Sequence, residues 1–112
     1  MLDKRKFYIN GKWVSPSKPN DLNVINPSTE EAFATISLGS KEDTNAAVSA
    51  AKKALVTWSE SSKEERVKLL EKLLDIYKKR YSEMTEAISM EMGAPMDWSN
   101  DAQTSSGQSH LE

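Results

Sequence analysis

Ala32-Phe33-Ala34-Thr35-Ile36-Ser37-Leu38-Gly39-Ser40-Lys41-Glu42-Asp43, residues 32–43, holds the point where one hydrophobic period gives way to another. Before Gly39, Ala32, Ala34 and Ile36 alternate with Phe33 and Thr35, the two-residue period of a strand. After it, Ala47, Ala51, Ala54, Leu55 and Trp58 recur on one face of a helix. Ser40, with Asp43 three residues on, supplies the N-cap pattern that starts that helix. Strands therefore precede this junction and helices follow it, which makes the chain α/β.

Upstream, Phe7-Tyr8-Ile9 and Lys12-Trp13-Val14 flank Asn10-Gly11. That dipeptide is the strongest short-range signal for a hairpin, because a type I′ turn needs positive φ at both central positions. Ser15 to Asp21, with two prolines, reads as a loop, and Leu22 to Ile25 pairs with Ala32 to Leu38 around Asn26-Pro27-Ser28-Thr29-Glu30. Downstream, Ser62 and Glu65 form a second capping box. Val67, Leu70, Leu74, Tyr77, Tyr81, Met84 and Ile88 then recur at spacings of three and four, and Leu69, Leu73 and Ile76 widen the stripe. A break is expected near Arg80 and Tyr81, with Ser82 as a new start, and Gly93 followed by Pro95 ends the helical run. From Ser99 to Glu112 only Ala102 and Leu111 are apolar. The organisation is a β-hairpin region at 1–39, a helical region at 40–98, and a polar segment at 99–112 that reads as cut.

Composition excludes several functions. The 112 residues carry fifteen Lys and Arg against seventeen Asp and Glu, a formal net charge of -2, which argues against a nucleic-acid footprint. No cysteine is present, so disulfides, Cys-ligated metals and a thiol nucleophile are excluded within these residues. Nothing reads as a signal peptide or a membrane span: the apolar run after the basic start stops at Asn10 and Gly11. A cytoplasmic location is the expectation. Apolar residues reach only 38%, so the fold is marginal or part of its apolar face awaits something outside the chain.

Residue chemistry alone identifies no active site. His110 is the only histidine and has no ligand partner at useful spacing, so it reads as solvated. Glu42-Asp43 and Glu64-Glu65 lie in first helical turns, where acids complement the helix dipole, and Glu30-Glu31 lies in a turn. Lys68, Lys72, Lys78, Lys79 and Arg80 interleave with Glu64, Glu65, Glu71 and Asp75 as a solvated helix surface. No glycine-rich phosphate cradle occurs, and Trp13, Trp58 and Trp98 read as packing residues.

The order of these pieces resembles the N-terminal segment of the NAD(P)-dependent aldehyde dehydrogenase superfamily. The resemblance rests on Tyr8-Ile9-Asn10-Gly11-Lys12-Trp13-Val14, Val24-Ile25-Asn26-Pro27-Ser28-Thr29-Glu30-Glu31, and Ala46 to Ala51. It continues through Trp58-Ser59, Glu65-Arg66, Leu69-Leu70 and Glu91-Met92-Gly93-Ala94-Pro95. Two positions depart from the family pattern. Glu30 stands where the family usually has Gly, implying a positive-φ position that costs a non-glycine residue roughly 1 kcal/mol. Ala94 stands where the family often has Lys.

The resemblance implies an aldehyde dehydrogenase-like α/β fold, with a Rossmann-type coenzyme domain in the full protein. This chain would supply antiparallel hairpins followed by two or three helices that pack on that domain. It implies oxidation of an aldehyde to an acid through a cysteine thiolate, with NAD or NADP as acceptor, a glutamate-activated water and an oxyanion site. None of those groups falls on these residues, so the chain reads as an inactive scaffold that binds no coenzyme. Its partners would be the remainder of the enzyme chain and further copies, in a dimer or tetramer, with no nucleic acid or membrane. One site carries over: a structural Na⁺ or K⁺ held by main-chain carbonyls near Val24 and Ile25 and by the Glu91 carboxylate. Oxygen-only ligation suits a hard cation, and an acid at a helix C-terminus is otherwise unfavourable against the dipole. The alternative for Glu91 is a solvated acid. Two other functions remain open: a stand-alone helical interaction module, and a non-catalytic short form that modifies assembly.

Overall fold

The computed structural model describes residues 1–112. Five strands come first: β1 (Leu2–Asp3), β2 (Phe7–Ile9), β3 (Lys12–Val14), β4 (Asp21–Asn26) and β5 (Glu31–Ser37). The helices are α1 (Lys41–Trp58), α2 (Lys63–Lys79), α3 (Tyr81–Met92), α4 (Met96–Trp98) and α5 (Ser105–Leu111), with a π-helical segment at Ser99–Thr104 joining the last two. The change from strand to helix falls at Gly39 and Ser40, as the periodicity requires. No helix is long and apolar enough to cross a membrane.

The chain divides into two compact units: Met1–Ile25 with Glu31–Glu60, and Asn26–Glu30 with Ser61–Glu112. In the first, β2 and β3 pair antiparallel with Phe7 opposite Val14, Tyr8 opposite Trp13 and Ile9 opposite Lys12. Asn10 and Gly11 close the turn at φ 53° and 74°, the left-handed pair that a type I′ hairpin demands. Tyr8 and Trp13 meet across the hairpin, ring centres 5.3 Å apart. A separate three-stranded sheet has the order β1-β5-β4. The four residues between β4 and β5 permit only an antiparallel return, since a parallel one needs a crossover of a dozen residues or more.

β1 is an addition to what the periodicity predicts, and it runs parallel to β5, with Leu2 opposite Ala34 and Asp3 opposite Thr35. Two residues are too few to show an alternation. The strand is held instead by Lys4 N–H on the Thr35 carbonyl at 2.8 Å and by Arg5, which bonds both Asp3 oxygens and Asp21 Oδ2. That guanidinium holds the Asp3 carboxyl well below the usual carboxylate range. Ala34 is the one buried hydrophobic side chain, with Ser37 buried beside it in sequence.

In the second unit, α2 and α3 divide the long apolar stripe at Arg80, whose φ of -106° and ψ of 18° leave the helical range. The expected break is there, but α3 begins at Tyr81 rather than Ser82 and has no side-chain cap. The interruption also removes the continuous seam that a coiled coil would need. Residues 96–111 are helical, contrary to a structureless reading of the polar segment. Their anchoring is polar: Tyr77 Oη donates to the Thr104 carbonyl at 2.9 Å and Tyr81 Oη to the Asn100 carbonyl. Thr85 and Thr104 hydroxyls meet at 2.9 Å, and Thr104 and Ser99 have no exposed surface. Hydrophobic periodicity cannot see an interface built from hydroxyls.

Candidate functional site

The residues singled out for a cation fall in both units. Val24, half-buried, and Ile25, exposed, lie in β4 of the first; Glu91, exposed, lies in the last turn of α3 in the second. That last turn contains no basic residue, so nothing on the helix itself offsets Glu91 at the negative end of the dipole. No group of three or more His, Cys, Asp or Glu side chains converges anywhere in the chain.

The end of α3 is closely built. Gly93 takes φ 71° and donates its N–H to the Ser89 carbonyl at 2.9 Å, while Ser89 Oγ donates to the Ala94 carbonyl at 2.7 Å. These bonds satisfy carbonyls that a helix terminus otherwise leaves unpaired. Against this end lies the turn from Asn26 to Glu30, of the same unit. A Cβ on Gly93 would stand 2.8 Å from Pro27 Cγ and 3.2 Å from Ser28 Oγ, so Gly93 is required both by its φ and by this approach. The turn is shaped by Asn26, whose carbonyl accepts from Thr29 N–H and Glu30 N–H and whose Oδ1 accepts from Ser28 N–H. Glu30 takes φ 60°, the left-handed conformation implied by the glycine of the family pattern. The turn keeps its form without the glycine and carries the steric cost.

A second polar centre is the start of α1. Asp43, only 9% exposed, accepts from Ser17 N–H at 2.9 Å and from Ser40 N–H and Oγ at 2.9 and 2.8 Å. Ser40 Oγ in return accepts from Asp43 N–H. The hydrogen bonds from the Ser40 and Ser17 backbone hold the Asp43 carboxyl down at about 2. This is a helix cap tied to a loop, with both carboxylate oxygens directed at protein donors. The acid therefore positions α1 and is not available as a base. At the other end of the chain, His110 is exposed in the last turn of α5, where a basic side chain complements the dipole.

What residue chemistry did not reveal is the Arg5 clamp and the Tyr77–Tyr81–Thr85–Thr104 network. Arg5 sits between two lysines and reads as part of a basic start; only topology brings Asp21 to it. Both tyrosines lie on the apolar stripe, and nothing in their spacing says that the hydroxyls, rather than the rings, find partners.

Known proteins carry the same pattern. A model of the aldehyde dehydrogenase family matches residues 13–111. The 3-succinoylsemialdehyde-pyridine dehydrogenase of a Pseudomonas species is 44% identical over 96 residues, which cover 86% of this chain and 20% of that protein. The crystal structure of an aldehyde dehydrogenase from Bartonella henselae superposes with a TM-score of 0.98 at 59% identity, covering 99% of this chain and 23% of that one. A Pseudomonas syringae aldehyde dehydrogenase C mutant, in complex with NAD⁺ and octanal, superposes at 0.93 with 36% identity over 96% of this chain and 22% of its own. The chain thus spans between a fifth and a quarter of the length of these relatives.

Proposed function

Because the chain belongs to the aldehyde dehydrogenase family, we propose that it serves as scaffold in an NAD- or NADP-linked oxidation of an aldehyde to an acid. The thiolate, the coenzyme-binding groups and the activating glutamate of that chemistry come from sequence other than these residues, which contain no cysteine. The observation that carries the reading is the exposed apolar stripe on α2. Val67, Leu69, Leu70, Leu73 and Ile76 are all open to solvent, on a helix whose capping and charge pattern are otherwise well formed. Such a face is built to be covered. In the full enzyme the cover is the coenzyme-binding domain, and the assembled protein is a cytoplasmic homo-oligomer.

The test is a pair of assays. The 112-residue chain, given an aldehyde and NAD⁺, is expected to yield no NADH. A chimera in which it replaces the matching segment of the Bartonella henselae enzyme is expected to fold and to reduce NAD⁺. NADH from the chain alone, or a folded chimera without turnover, overturns the assignment.

The same reading extends to a monovalent cation taken by main-chain carbonyls near Val24 and Ile25 and by the Glu91 carboxylate. Support comes from the donor set, which is all oxygen, and from the uncompensated position of Glu91 in the last turn of α3. The Tm is expected to be higher in NaCl or KCl than in tetramethylammonium chloride at equal ionic strength, and Glu91→Gln is expected to abolish the difference. Equal Tm values in all three salts would remove the site.

A further inference from the structure

We propose that Asn10 is a site of spontaneous covalent modification, converted through a cyclic imide to aspartate and isoaspartate while the chain is folded. The reaction needs three things: a side-chain amide, a following main-chain N–H able to reach its carbonyl carbon, and no steric guard on that approach. Six asparagines are present, and their successors differ in this respect. Asn26 precedes Pro27, which has no N–H to attack with, so it cannot react by this route. Asn23 precedes Val24, whose branched Cβ obstructs the approach, and lies within β4. Asn45 sits inside α1, where its successor's N–H belongs to the helical ladder. Asn20 and Asn100 both precede aspartates, and Asn100 is held in the π segment with its side-chain amide donating to Asp101.

Asn10 differs from all of these. Its successor is Gly11, both residues are exposed, and a Cβ placed on Gly11 would meet nothing within 4 Å. Its own side chain makes no hydrogen bond that would hold the amide away from Gly11. The turn conformation must relax for the nitrogen to swing onto Cγ. The hairpin offers little resistance, since it has three residue pairs and a two-stranded ribbon is marginal by itself.

The step balances with water as the only co-reactant. The Gly11 nitrogen loses its proton and bonds to Asn10 Cγ, and the side-chain nitrogen leaves as ammonia. Water then opens the five-membered imide at one of its two carbonyls. One opening gives an ordinary aspartate with the original backbone; the other routes the main chain through Cβ and gives isoaspartate. Both products add a negative charge close to Lys12. The second lengthens the turn by one bond, which the register of Tyr8 opposite Trp13 cannot accommodate.

The test uses the intact chain held at mildly alkaline pH in native buffer and then digested with trypsin. Cleavage after Lys6 and Lys12 isolates Phe7–Lys12, with Asn10 as its one asparagine. This peptide is expected to gain the mass of NH₂ replaced by OH, to split into two chromatographic isomers, and to do so faster at higher pH. Peptides carrying the other five asparagines are expected to change several-fold more slowly. Asn10→Gln, which would need a six-membered imide, is expected to lose the product, with far-UV dichroism confirming that the variant folds. An unchanged Phe7–Lys12 peptide, or one that changes no faster than the peptide containing Asn20, overturns the proposal.

Discussion

Glu30, Gly93 and Gly107 each meet a local steric demand, and each answers to a single substitution. Glu30 occupies φ 60°, where an L-residue pays roughly 1–2 kcal/mol and glycine does not. Glu30→Gly removes that strain but frees the unfolded chain by about 0.4–1 kcal/mol. A net gain below about 1 kcal/mol is expected, read as a higher urea midpoint at constant slope. Gly93→Ala has no such offset, because its Cβ meets Pro27 at φ 71°. A loss of about 1–3 kcal/mol is expected from the same urea titration. Gly107 is ordinary in conformation, but its Cα lies against the Tyr77 hydroxyl and ring, so Gly107→Ala drives a methyl group into them. Its loss is expected to match that of Gly93→Ala and to appear as a lowered Tm.

Among the elements, the helix starts were the most legible. Ser40 with Asp43 and Ser62 with Glu65 both form reciprocal capping boxes, because the chemistry of a cap is confined to four consecutive residues. Asp43→Ala is expected to lower the Tm and to loosen α1, since it removes one half of the cap and the anchor of Ser17. Its pH dependence has a definite sign. The folded carboxyl is held at about 2, below its ordinary 3.8, so its contribution is complete above pH 3.8 and disappears as pH falls through 2. Acid unfolding of the Asp43→Ala variant should therefore lack that component, with the two proteins converging at the acid end of a dichroism titration. The hairpin was equally legible, since Asn10-Gly11 carries its own φ requirement. β1 and residues 96–111 were not. A two-residue strand has no period, and the last helices are anchored through Tyr77, Tyr81 and Thr85, whose partners lie 19 to 27 residues away. As for the proposed cation site, Glu91 was legible only through the family pattern around Gly93; no feature of its own spacing marks it.

Taken over the whole molecule, apolar side chains are mostly in the wrong place for a self-sufficient fold. Ala34 is the only hydrophobic residue in the buried class, whereas Leu55, Val56, Leu69 and Leu70 are each more than half exposed. Changing Leu70 to Lys is expected to alter this chain's stability by no more than about 0.5 kcal/mol, as at any solvated site. The same change in the chimera with the Bartonella henselae enzyme is expected to cost several kcal/mol, because there the side chain is covered. Equal effects in the two settings would show that the face is never covered. The molecule's tolerance of length change is set elsewhere, at the wide turn of Ser99–Thr104. Removing one residue there would let the turn tighten to an ordinary α-helix and swing everything after it by about 100°. Gly107 would leave Tyr77, a side chain would arrive in its place, and Glu112 would part from Lys78, to which it is joined at 3.0 Å. The extra residue in that turn is a spacer in angle, and homologous chains that keep the Tyr77–Gly107 contact are expected to show no gap across it.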